Sequence, residues 1–182
     1  MQDDDTFDDR LFFGPMGPLV PVEFESTETG EPFLKCSSCT LLFSEMEQAT
    51  CFIEKVMRSG ECIVEVALCS DCLSNGRCDW SDESIESLEM HNLEHPLIPS
   101  GLGHCAGCQI EANIWTDDIT YVGIIEKTVG LLGPPALICT DCLEQIESVL
   151  SEETRREMDE FADSVLPGVN AEGVPSSSLF VL

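Results

Sequence analysis

Eight of the eleven cysteines in this 182-residue chain stand in four Cys-x-x-Cys pairs: Cys36–Cys39, Cys69–Cys72, Cys105–Cys108 and Cys139–Cys142. Two thiolates separated by two residues fit a tight knuckle and aim at one ion, and a second such pair completes a tetrahedral set. The pairs recur in matched halves. The first pairs of the two halves lie 69 positions apart and the second pairs 70, with 29 residues between Cys39 and Cys69 and 30 between Cys108 and Cys139. The flanks agree too: Leu68-Cys69-Ser70-Asp71-Cys72-Leu73 matches Ile138-Cys139-Thr140-Asp141-Cys142-Leu143. An internal duplication of one four-cysteine module is the reading, with one zinc ion per module and two per chain. Iron is the alternative, but a rubredoxin-type knuckle carries Pro and Gly in and after the pair, where Cys36-Ser37-Ser38-Cys39-Thr40 has neither. Paired spacing and an odd cysteine count speak against a disulfide framework.

The charge narrows the function classes. There are 35 acidic and 8 basic side chains, a net charge of −27, and each successive stretch of the chain is net acidic. Four thiolates and one Zn²⁺ sum to −2, so filling two sites takes the chain to about −31. Nucleic acid is therefore not expected as a partner, since phosphate binding needs clustered Lys and Arg. The acidic clusters, such as Asp3–Asp5, Asp117-Asp118 and Glu152-Glu153, are too short for nucleic-acid mimicry. A protein partner with a basic surface suits the charge, and a homodimer is compatible with it. No apolar run reaches the roughly 18 residues of a membrane span. The opening Met1-Gln2-Asp3-Asp4-Asp5 is acidic where a secretory signal is basic and then apolar, so a cytoplasmic location is expected.

The elements that must position the thiols are short. In the first module, Ser44-x-x-Glu47 reads as a capping box, and Met46, Ala49, Phe52, Ile53, Val56 and Met57 follow at helical spacing to a stop at Gly60. Cys62, Val64, Val66 and Leu68 alternate as a half-buried strand that delivers the second pair. Asn75-Gly76 marks a turn, and Ser81 caps an acidic helix through Ile85, Leu88 and Leu93 to His95-Pro96. In the second module, Ile119 to Leu132 fits a helix beginning after Thr116, while Tyr121–Ile125 fits a strand equally well. Gly133-Pro134-Pro135 breaks it, and Ala136-Leu137-Ile138 leads into the metal pair. Leu143, Ile146, Val149 and Leu150 then share a helix face, with Met158, Phe161 and Val165 extending it or forming a second helix. A strand entering and a helix leaving the second pair is treble-clef logic, because the helix start puts amide donors near the sulfurs.

The stretch Leu131-Leu132-Gly133-Pro134-Pro135-Ala136-Leu137-Ile138-Cys139-Thr140-Asp141-Cys142-Leu143-Glu144-Gln145-Ile146 resembles the zinc-binding domain at the front of the ClpX unfoldase family. The resemblance covers residues 105–150 and implies a treble-clef module with Cys105, Cys108, Cys139 and Cys142 as ligands, used for dimerisation or protein binding. The phosphate loop Gly-x-x-x-x-Gly-Lys-Ser/Thr of that family's ATPase is absent from the sequence.

The expected fold class is α+β: two tandem treble-clef-like four-cysteine zinc modules, at residues 33–96 and 97–166. An acidic, proline-containing segment (1–32), too broken for a core element, precedes them, and a tail (167–182) ending in apolar Leu179-Phe180-Val181-Leu182 follows. Catalysis is not expected. Both sites offer four ligands where a catalytic zinc keeps a position open, and a cysteine nucleophile needs an electropositive setting. His91 and His95 share a helix face, so a third site with Cys51, Cys62 and Cys78 is conceivable, although a solvent-facing histidine pair and ordinary cysteines are the plainer reading. His104 abuts Cys105 but the four-cysteine set is complete without it. The functional reading is a non-enzymatic protein-binding adaptor or regulator. Its alternatives are thiol redox or metal handling through the Cys-x-x-Cys pairs and, third, nucleic-acid binding or mimicry.

Overall fold

A computed structural model describes residues 20–46, 50–77, 80–113, 116–126 and 130–166. The two halves share an order of knuckle, two strands and two helices, to which the second adds two further strands. The first runs from the Cys36–Cys39 knuckle through β1 (Thr50–Arg58), β2 (Glu61–Cys69), α1 (Ser70–Arg77) and α2 (Asp82–Glu94). The second runs through β3 (Gly101–Cys105) into its knuckle, then β4 (Asp118–Glu126), a short β5 (Gly130–Leu131), β6 (Ala136–Cys139), α3 (Thr140–Ser148) and α4 (Glu152–Val165). The protein is thus a mixed α+β fold carrying two tandem four-cysteine modules.

The halves are not beads on a string. Strand order is β2-β1-β4-β6-β3, with β5 on β4, so the equivalent strands β1 and β4 lie side by side at the centre. They pair antiparallel from Thr50↔Glu126 to Arg58↔Asp118, and each holds its own half's cysteine-delivering strand on its outer side. This arrangement relates the halves by a local two-fold, as in a symmetric dimer joined into one chain. Arg58 Nε reaches Asp118 Oδ2 at 3.0 Å where the central ladder ends. Both faces of the central strands are buried: Ile53, Ala67, Ile125 and Leu137 on one, Val66, Leu68, Thr120 and Ile138 on the other.

A second seam joins the helix starts. Ser81 and Ser151 are the N-caps of α2 and α4, accepting the amides of Ser84 and Thr154 at 3.2 Å each. An ordinary capping box returns a bond to the N-cap amide from the third residue of its own helix. Here each helix serves the other: Ser81 N–H donates to Thr154 Oγ1 (3.1 Å) and Ser151 N–H donates to Ser84 Oγ (2.8 Å). Ser84 and Thr154 are fully buried, so the two positive helix ends meet at hydroxyls that satisfy both.

Several expectations change. The helix expected over Met46 to Met57 is instead strand β1, with Glu47 and Ala49 outside the described residues. Thr50, Cys51, Phe52, Ile53 and Val56 favour a strand, and a strand buried on both faces has no alternation to betray it. Gly60 does not stop a helix; with Ser59 (φ +50°) and Gly60 (φ +82°) both left-handed, it makes the two-residue turn of the β1–β2 hairpin. Asn75-Gly76 sits in the last turns of α1 instead of marking a separate turn. Of the two readings of Ile119–Leu132, the strand is found. The expected strand over residues 61–68, the Ser81-capped helix, the strand entering Cys139 and two helices after it are all present.

Residues 20–32 do supply core. Val20 and Phe24 are fully buried, and the Phe24 ring lies on Gly123, where a Cβ would stand 2.7 Å from Cε1. The buried Lys55 ammonium holds this segment down by pairing with Glu65 at 3.5 Å and donating to the Glu25 carbonyl, while Ser26 and Thr27 donate to the same carboxylate. Residues 1–19 of the 1–32 segment and Leu179–Leu182 lie outside the described residues.

Candidate metal centres

Each site is assembled from a knuckle and a strand–helix junction. Lys35 bridges Leu42, and Thr40 takes φ +62°, which folds the chain so that Cys36 and Cys39 face the same way. The second knuckle repeats this with His104 bridging Glu111 and Gln109 at φ +60°. The knuckles are stitched to the strands that deliver the other pair: Ser37 N–H donates to Ala67 O and Ala106 N–H to Leu137 O, both at 2.7 Å. β2 ends on Cys69 and β6 on Cys139, and each helix begins at the next residue, placing Cys72 and Cys142 in its first turn.

The result is two four-thiol sets, Cys36/Cys39/Cys69/Cys72 and Cys105/Cys108/Cys139/Cys142, each with its sulfurs all within 4.8 Å of one another. A tetrahedron with Zn–S bonds near 2.3 Å has edges of about 3.8 Å. Cys39 and Cys69 sulfurs stand 3.9 Å apart and Cys108 and Cys139 sulfurs 3.8 Å apart, which fits a shared ion and is far longer than a disulfide. The donor set, four soft thiols gathered within 4.8 Å of one another, suits a tetrahedral thiophilic ion, zinc or iron. All eight predicted ligands are therefore brought together, four and four.

Amides around the sulfurs favour negative charge there. Cys69 N–H and Cys139 N–H donate to Cys36 Sγ and Cys105 Sγ at 3.4 Å, and Cys72 N–H donates to Cys69 Sγ at 3.5 Å. Burial works against ionising Cys36 and Cys105, but these donors and those of the knuckle outweigh it and bring both down to about 7. Burial and the neighbouring thiols push the second pairs the other way, Cys69 to about 12 and Cys139 to about 11. Without metal, burial and the neighbouring thiols thus oppose ionising Cys69 and Cys139 together with Cys36 and Cys105. Bringing four thiolates together is left to a cation.

The knuckles differ at both positions between their cysteines, Ser37-Ser38 in the first and Ala106-Gly107 in the second, and the Ser37 hydroxyl accepts from the Ala67 amide at 3.0 Å where Ala106 has no counterpart. Ser38 stands near Cys72 and favours its thiolate, whereas its counterpart Gly107 leaves room for Cys142, whose Sγ would lie 2.8 Å from a Cβ at Gly107. Cys108 is exposed, while its counterpart Cys39 is half-buried.

Other candidates do not converge. Among the described residues, only the two four-thiol sets gather at metal-binding distance. His91 and His95 stack loosely near the end of α2 with ring centres 5.1 Å apart, Cys51 is buried across the ladder from Cys69, Cys62 donates to the Val64 carbonyl, and Cys78 lies outside the described residues. The thiol of Cys51 is pushed up strongly by burial and by the Cys36 and Cys69 charges, which leaves it a core side chain. His104 is exposed on β3. Asp117 accepts from the Asn113 amide and Asp118 pairs with Arg58, so that acidic pair organises β4. No helix among the described residues is long and apolar enough to cross a membrane. Comparison with family models, curated proteins and solved structures finds no match.

Proposed function

We propose that this chain is a non-enzymatic protein-binding adaptor or regulator built on two structural zinc ions in treble-clef-like modules. The closure of both sites carries the reading. Four cysteine sulfurs surround each position at tetrahedral spacing, so a bound ion has no open place for water or substrate. The metal would link knuckle, strand and helix in each half, and its binding free energy, roughly 10–16 kcal/mol for small structural zinc modules, would hold the shared sheet together. Four cysteines would hold each ion, and the amides of Cys69, Cys72 and Cys139 orient the sulfurs. A surface at −27 suits partners with a basic face, met within the cytoplasm on this reading. Purification of the zinc-loaded chain from lysate should recover a stoichiometric protein partner that is lost when the metal is stripped. Recovery of no partner by metal-loaded protein would contradict the reading.

A second reading, thiol redox or metal transfer, is favoured by the exposure of Cys108, which gives an acceptor access to the second site. It predicts metal release and a reversible disulfide under mild oxidant, where the structural reading predicts full retention.

A further inference from the structure

The duplication supplies an internal control for the surface. Ser81 to Glu94 aligns with Ser151 to Ser164 at the 70-residue offset of the second cysteine pairs, and the two helices share their N-caps, their buried third residue and nearly the same pattern of exposure. What the fold requires of these helices should therefore be alike. Yet α2 carries Ile85, Met90 and Leu93 where α4 carries Arg155, Glu160 and Asp163. The three apolar side chains are 41%, 56% and 77% exposed, and the charged counterparts show that the architecture has no need of apolar groups there.

At about 100° per residue, Leu93 falls between Ile85 and Met90, and the three spread over an arc of about 140° on one side of α2. Interleaved with them are Asp82, Glu83, Glu86, Glu89 and Glu94, with no Lys or Arg from Asp82 to Glu94. A shallow, open concavity of about 500 Å³ lies at the Met90 end of this row, lined by Glu86, Ser87, Met90, His91, Glu94 and Val149.

We infer that this side of α2 docks a partner's amphipathic helix that carries Lys or Arg beside its apolar face. The inference rests on the adaptor reading and gives it a surface and a partner chemistry. Apolar side chains raised among carboxylates match the i, i+3, i+4 anchors of a basic amphipathic helix. A second copy of this chain would bring like charge to like, which argues against α2 docking on its own counterpart.

The test grafts the charged residues of α4 onto α2 in the full chain: Ile85→Arg, Met90→Glu and Leu93→Asp together. The graft changes net charge only from −27 to about −28, so an unspecific electrostatic association would be left intact. The probe is a synthetic amphipathic lysine–leucine helix, with a scrambled peptide of the same composition, titrated into the zinc-loaded chain and followed by backbone amide shifts. Expected are saturable shifts concentrated in residues 82–94, and at least about tenfold weaker binding by the graft, whose two metal ions and thermal unfolding confirm its fold. Equal binding by graft and native chain, or shifts spread over the acidic surface with either peptide, would overturn the inference. So would α2 amide shifts on deleting residues 167–182 without peptide, which would identify the chain's own apolar end as the occupant. A dimer dissolved by the graft would also overturn it in favour of a second copy. Metal release under mild oxidant would sink the adaptor reading instead, and the peptide titration would be unaffected.

Discussion

Replacing Gly107 by Ala should weaken the second metal site and leave the first alone. The added Cβ would lie 2.8 Å from Cys142 Sγ and 3.2 Å from Cys142 Cβ, closer than carbon and sulfur atoms pack. Relief requires moving one of them by more than half an ångström, on the order of several times the ±0.2 Å that a metal site tolerates in ligand distance. Overpacking of this kind costs about 1–3 kcal/mol, or about 5- to 150-fold in affinity. Against a zinc binding free energy of roughly 10–16 kcal/mol, the site should still fill in excess metal but give it up sooner to a chelator. Ser38 occupies the equivalent place in the first knuckle and already carries a Cβ, so Ser38→Ala is the matched control and should remove only a hydroxyl beside Cys72. The assay is chelator competition followed by native mass spectrometry, with thiol alkylation of the one-zinc species to show which four cysteines are still protected. Wild-type retention by Gly107→Ala, or release from the first site, would refute the packing argument.

Gly123→Ala should lower stability by about 1–3 kcal/mol, read by thermal or urea unfolding, because its Cβ would meet the buried Phe24 ring; an unchanged midpoint would mean that the ring is not seated there. Thr154→Val keeps the shape of the side chain but removes the acceptor for the Ser81 amide, at about 1–2 kcal/mol, with faster hydrogen exchange at Ser81 as the local signature. For the metal-free chain, Cys36 and Cys105 ionise near 7 instead of near 9, so their contribution is in place above about pH 9 and fades as pH falls through about 7. Cys69 and Cys139 are shifted up, so they stabilise below about 9 and lose that contribution as pH climbs towards their raised values of about 12 and 11. Metal-free thermal stability should therefore peak near pH 9, while the zinc-loaded chain stays flat until acid strips the metal; identical profiles for the two forms would contradict this.

The sites were legible in the sequence because ligand spacing is a local signal: four doublets at near-constant offsets leave few other uses for the thiols. The elements with local punctuation were legible too. Alternation marked β2, and the Ser81 cap marked α2. β1 was not, because Phe52, Ile53, Val56 and Met57 fall at helical spacing while Thr50–Arg58 is buried on both faces of the sheet. The joining of the halves depends on pairings across some 70 residues, Cys51↔Ile125 and Glu54↔Val122 among them, which no local pattern encodes. The reciprocal capping at Ser81 and Ser151 has the same origin, since each serine reads as an ordinary N-cap until the other helix is beside it. Phe24 and Lys55 gain their roles only from the groups they meet, Gly123 and Glu65.

The most direct test of the central claim is native mass spectrometry of chain purified without chelators, with elemental analysis of the same sample. Two zinc ions per chain, with all eight paired cysteines protected from alkylation, is the predicted result. Iron in the sites, or a metal-free chain with disulfides within the Cys-x-x-Cys pairs, would contradict the structural-zinc account.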